Sequence, residues 1–122
     1  MFDWVQYLEL ADELAERRDN EAALRSAVSR AYYAAFCKSR QTLRDQGFIV
    51  PRRGAHQFVW EKYQNHSEKS RRRLGAHGER LKKYREDADY EETVPELVKT
   101  VKDSLVRARD VIRLLQNFPP DS

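Results

Sequence analysis

The residues in this sequence best suited to chemistry stand in "YREDADYEE", residues 84–92. Leu74, Leu81 and Ala88 recur at helical spacing, and at 100° per residue Arg85 falls within about 40° of Leu74 on the same stripe. A guanidinium on a buried stripe is costly unless it reaches a carboxylate or borders a wet cleft. Asp89, one turn later, is placed to be that carboxylate. Such a pair either fixes a helix end or forms a polar site facing a partner or a phosphate.

Two further groupings carry possible chemistry. Ser26, Ser29, Arg30, Tyr33 and Cys37 share the side of a helix opposite Leu24, Val28, Ala31 and Ala35. That side is either a second packing surface or part of a cleft. In "RRRLGAH", four residues separate Arg72 from His77, a spacing used by some metal-independent ribonucleases. There a histidine moves protons and an arginine stabilises phosphorane charge. With sixteen arginines in the chain, such a match arises readily by chance, and the triple arginine reads first as a solvated, phosphate-friendly surface. His56, His66 and His77 lie about ten residues apart without paired ligand spacing, and no metal site or cofactor is expected. Phosphate-binding glycine loops, GxSxG, HExxH and EF-hand patterns are absent.

The elements that must position these residues read as helices. Glycine and proline are confined to a few places and β-branched runs are missing. Asp3 is placed to cap a first helix over about 4–18. Asn20 opens a long second helix ending at Gly47, with an apolar face of Leu24, Ala27, Val28, Ala31, Ala35 and Thr42, widened by Tyr32 and Phe36 and broken by Lys38. "GFIVPRRG" is a connector, and "AHQFVWEKYQ" a short third helix. "NHSEKSRRRLG" reads as a polar, partly mobile stretch, so the helix carrying Arg85 is expected from about Leu74 to Ala88. Thr93, Pro95 and Glu96 form a helix-start signal. The last helix then follows with Val94, Leu97, Val98, Val101, Leu105, Ala108, Ile112 and Leu115 inward, stopped by Pro119 and Pro120. The expected fold is all-α, an up-and-down bundle of four to five helices in a single domain, 1–122.

Composition narrows the function classes. At 35% charged and 11% aromatic residues, the chain is too charged for a membrane protein and too aromatic for a disordered one. No run approaches the twenty apolar residues of a membrane span, and no signal peptide is evident. The lone Cys37 excludes an internal disulfide framework, and a cytoplasmic setting is expected. Sixteen of the twenty-three basic residues are arginine, whose planar fork suits phosphate and leaves nucleic acid open as a partner.

"RSAVSRAYYAAFCKSRQTL", then "GAHQF", then "LKKYREDADYEE" and a final amphipathic helix resemble the HEPN superfamily. The similarity is to its small stand-alone prokaryotic branch, with its SRAYYA and later RxxADY pattern, and it covers about Arg25 to Leu115. The resemblance implies a helical bundle commonly paired as a homodimer. Many such proteins are metal-independent ribonucleases, often toxins encoded beside a nucleotidyltransferase partner protein. Others act in defence, and some have become non-catalytic binding modules.

Carried residue by residue, Arg85 matches the family's catalytic arginine and Glu86 its polar neighbour. Tyr90 stands where active members place a histidine, and no histidine follows it. A phenol is a poor base at neutral pH. Arg30, Tyr33, Asp89 and His56, the last matching a histidine of this branch, complete the RNA- or nucleotide-binding set that the resemblance implies. The expected function is RNA or nucleotide binding within a toxin–antitoxin or defence-type system, with weak or no ribonuclease activity. The alternative is a non-catalytic interaction or dimerisation module.

Overall fold

The longest helix of the chain is lined with alanines. Ala23, Ala27, Ala31, Ala34 and Ala35 of the second helix are all buried and present almost no bulk, so neighbouring helices approach it closely from several sides. The computed structural model describes residues 1–117; Pro119 and Pro120, expected to stop the last helix, lie outside them. Five helices follow in order: α1 (Val5–Ala15), α2 (Glu21–Asp45), α3 (Ala55–Gln64), α4 (Lys69–Tyr90) and α5 (Leu97–Gln116). The chain is an all-α bundle, as the composition and periodicity predict. None of the described helices is long and apolar enough to cross a membrane.

α2 touches each of the other four helices and is buried on nearly every side, from Ala23 through Tyr32 and Phe36 to Leu43. Its start is capped as the sequence suggests, with Asn20 Oδ1 accepting from the Ala23 N–H at 3.0 Å. α1 is shorter than expected at both ends, and Asp3 Oδ1 accepts from the Val5 N–H at 3.1 Å. Cross-helix pairs give the directions. Arg25 near the start of α2 meets Ala88 near the end of α4, and Tyr84 and His77 of α4 meet Asp103 and Arg107 of α5. Both pairs of helices therefore run antiparallel. α3 runs in the same sense as α2, since Tyr32 meets His56 and Ser39 meets Tyr63. The connector of residues 46–54 allows this return, with left-handed Gly47 and Gly54 at its turns.

Two boundaries differ from the sequence reading. α4 begins at Lys69 rather than near Leu74, so most of the stretch read as polar and mobile is helix. Arg71 is 3% exposed and lies 2.8 Å from His66 Nε2. Arg72 donates to the His66 and Ser67 carbonyls at 3.1 and 2.6 Å. These arginines order the turn instead of floating on it. Gly75 and Gly78 sit inside the helix because α3 lies against them. A Cβ on Gly78 would stand 2.2 Å from Trp60 Cε3, and one on Gly75 would stand 2.7 Å from Gln64 Cγ.

The second difference is at α5, which begins at Leu97 instead of beside Thr93. The capping sequence is overridden by α2. Arg25 donates to the carbonyls of Ala88, Glu91 and Glu92 at 3.0, 2.5 and 2.9 Å and holds the chain extended after α4. The turn is then made at Glu96, whose φ of 53° is left-handed. Val94 and Val98, expected inward, are half-buried and 38% exposed, while Ser104 and Val111 join the buried face.

Candidate functional site

Arg85 lies three-quarters of the way along α4, on the side turned to α2. Its side chain is 13% exposed, and its guanidinium carbon is 5.5, 5.6 and 5.9 Å from the ring centres of Tyr32, Tyr33 and Tyr90. Cation–π attraction of this kind partly replaces lost hydration. Asp89 Oδ2 is 3.5 Å from one terminal nitrogen, a long contact for an ion pair at i+4. The buried Nε has no hydrogen-bond partner. The guanidinium is thus held by ring faces with most of its donors unspent, in a setting where an unmade bond costs about 1–3 kcal/mol.

Tyr32 joins Arg85 to α3. It is fully buried in the core, and its hydroxyl accepts from Trp60 Nε1 at 3.1 Å. The same hydroxyl lies 2.5 Å from His56 Nδ1. Trp60 and His56 thus both engage the one phenol oxygen, which ties the imidazole of α3 to the ring of α2 through its Nδ1. Burial pushes the Tyr32 phenol far above its ordinary value, so it stays protonated. Burial, then the charges of Arg85, Lys82 and Arg40, hold His56 below its ordinary value, with Glu86 opposing. Stacking on Phe36, 4.0 Å between centres and 4° between planes, clamps the imidazole.

The sequence-predicted residues divide as follows. Arg85, Asp89, Tyr90 and Tyr33 are brought together. Arg30 joins them through Tyr33, its guanidinium 5.3 Å from that ring and 4.7 Å from Tyr7. His56 reaches the cluster through Tyr32. Tyr90 closes α4 and is 76% exposed. Of the serine and cysteine grouping, Ser26 is exposed while Ser29 and Cys37 are buried; burial raises the Cys37 thiol, which disfavours its reactive thiolate. Arg72 and His77 do not converge. Five positions along a helix turn through about 140°, so Arg72 faces the α3–α4 turn while His77 faces α5. There His77 Nδ1 accepts from Arg107 at 3.1 Å, and Arg107 and Tyr84 both donate to Asp103, at 2.8 and 2.6 Å.

Two residues escaped the sequence reading. Tyr32 reads as core from its position, and only the adjacent Tyr33 hints that the ring pair serves two sides of α2. Arg25 opens the family-like segment, yet its clasp on the end of α4 spans 63 to 67 residues and leaves no local mark. A depression of about 600 Å³ lies between Tyr84, Pro95 and Lys99; none of the Arg85 cluster lines it. Among the described residues no group of three or more His, Cys, Asp or Glu is arranged to hold a metal ion. No family model, curated protein or solved structure matches the chain.

Chemically, the cluster favours binding over proton transfer. His56 Nδ1 is occupied by the Tyr32 hydroxyl, and burial lowers the basicity of the ring, so the imidazole is a weak base with one nitrogen left for a ligand. The Tyr32 phenol is locked in its protonated form. What remains is a cationic fork between ring faces, suited to a phosphate with a base beside it.

Proposed function

We propose that this chain is a HEPN-type protein that binds RNA or nucleotide at the Arg85 cluster, with weak or no intrinsic ribonuclease activity. The observation that carries the reading is the Arg85 guanidinium, walled by Tyr32, Tyr33 and Tyr90 and met only by a 3.5 Å contact to Asp89. A phosphate would supply the acceptors that the fold leaves out, and Tyr90 would offer its exposed ring to the base. The family-like segments running from Arg25 to Leu115 extend the reading to a homodimer and to a toxin–antitoxin or defence-type system with a nucleotidyltransferase partner. Any cleavage would be attack of the RNA 2′-hydroxyl on its own phosphate, with Arg85 stabilising charge and no strong base at hand.

The test is uridine monophosphate and RNA binding by calorimetry, with cleavage followed in EDTA. Wild type should bind both. Arg85→Ala should weaken each by tenfold or more, the loss of about one or two charge-assisted bonds. Cleavage should be slow or absent in both proteins. Unchanged binding by a folded Arg85→Ala protein would refute the proposal.

A second reading is a non-catalytic interaction module whose Arg85–Asp89 pair fixes the end of α4. It is favoured by that i+4 contact and by the position of Arg85 beneath three rings. Its mark would be an Arg85→Ala protein that unfolds or becomes monomeric, from a parent that binds no RNA.

A further inference from the structure

Arg85 is one end of a longer row. It shares the Tyr33 ring with Arg30, at 5.6 and 5.3 Å. Arg30 in turn lies 4.7 Å from the ring of Tyr7 on α1. Tyr7 packs on Trp4 and Phe2, with centres 5.6 and 5.3 Å apart. Trp4 then faces Arg40 at 5.8 Å. Cations and rings are thus interleaved between α2 and the segment from Phe2 to Tyr7, and Arg40 stands ten positions after Arg30 on α2, about 15 Å of helix.

Trp4, Tyr7 and Tyr33 are partly buried against the core, so packing accounts for part of the row but not for its outer end. Phe2 is 44% exposed and stands outside the core, yet it is held edge-on to Trp4, 80° between planes. Neither Arg30 nor Arg40 has a carboxylate partner among the described residues, and Arg40 Nε is buried without a hydrogen bond. Asp3, the acid beside these rings, is already engaged by the Val5 N–H and lies 3.8 Å from Lys38. The row is therefore cationic, with unspent guanidinium donors between aromatic faces. An anionic chain whose charges alternate with flat apolar rings complements it. Single-stranded nucleic acid has that chemistry, whereas a duplex hides its base faces.

We propose that Phe2, Trp4, Tyr7, Arg30 and Arg40 form a stacking subsite for the unpaired nucleotides of a single-stranded RNA whose next phosphate lies at Arg85. The inference rests on the reading of Arg85 as a nucleotide site and names the substrate as single-stranded. Bases stack on the rings of Phe2, Trp4 and Tyr7 at the start of the chain, and Arg30 and Arg40 hold the phosphates between them.

The experiment compares three probes on the full chain: uridine monophosphate, a labelled single-stranded uridine oligonucleotide, and an RNA duplex of the same length. The single strand should bind more tightly than either other probe. Phe2→Ala and Arg40→Gln should each weaken it by about 5- to 100-fold, the range for losing one stacked base or phosphate contact, and leave the monophosphate unaffected. Trp4→Phe should stay near wild type, because a ring remains. Melting curves of each variant separate misfolding from lost contact, and Phe2, outside the core, is the safeguard.

Equal affinity for single strand and duplex would overturn the subsite, as would single-strand binding unchanged by the variants. A Phe2→Ala protein that turns from dimer to monomer with unaltered oligonucleotide affinity would also overturn it, assigning the rings to a second copy of the chain. Single-strand binding that depends on the row, without monophosphate binding, would uphold the subsite and remove the Arg85 reading. Monophosphate binding lost in Arg85→Ala, with an oligonucleotide no tighter than the monophosphate, would do the reverse.

Discussion

Gly78→Ala should destabilise this protein, although the same change in an open helix interior stabilises by about 1 kcal/mol. The added Cβ would stand 2.2 Å from Trp60 Cε3 and 2.4 Å from Cδ2 and Cζ3, against an ordinary carbon–carbon approach of about 3.5–4.0 Å. More than an ångström must be recovered. Trp60 cannot easily yield it, being fully buried with its indole N–H bonded to Tyr32. Overpacking of this sort costs about 1–3 kcal/mol and occasionally more. With the upper figure and the helix gain set against it, the net loss is about 2 kcal/mol. For a domain of this size that corresponds to a melting point about 6–10 °C lower.

Circular dichroism melts and urea midpoints measure the effect directly. Because Trp60 would push on Tyr32, near-ultraviolet dichroism and binding at the Arg85 cluster should change with it. Combining the change with Trp60→Phe should cost less than the sum of the two, since the smaller ring vacates the space. A Gly78→Ala protein as stable as wild type, or more so, would refute the close α3–α4 approach on which this reasoning depends.

Two further outcomes are expected. Arg25→Ala removes three bonds to carbonyls at the end of α4 and should cost about 2 kcal/mol; a melting point within a degree or so of wild type would count against the clasp. Stability should also fall on mild acidification. Burial foremost, then nearby cations, lowers both His56 and His77 in the folded state, so their contribution is complete above the unfolded histidine value of about 6.5 and is lost as pH falls toward the folded values. Urea midpoints should decline from about pH 7.5 to about pH 5.5, less steeply in His56→Phe, and a rising midpoint would contradict the assignment.

What could be read from the sequence was local. The α3 limits, the Asn20 cap and the Arg85–Asp89 face follow from periodicity and capping within a few residues. The errors arose where distant parts of the chain overrule local preference. Gly75 and Gly78 have poor intrinsic helix preference and blur where α4 starts, whereas their place is set by the bulk of Gln64 and Trp60 on another helix. Thr93 reads as a cap, but Arg25, nearly seventy residues earlier, holds the carbonyls before it. The link from His56 through Tyr32 to Arg85 joins three helices, and no spacing along one of them reveals it.

The Arg25 clasp has a consequence for how the molecule breathes. Helix ends ordinarily fray independently, opening and closing at little cost. The last turn of α4, which carries Asp89 and Tyr90, is tied to the first turns of α2. To open, it must release the most enclosed helix of the bundle. Amide hydrogens there should exchange with solvent slowly, on the schedule of the whole domain. The residues around Arg85 would then wait for a ligand already in position, and capture would be governed by the arrival of the ligand rather than by the readiness of the protein.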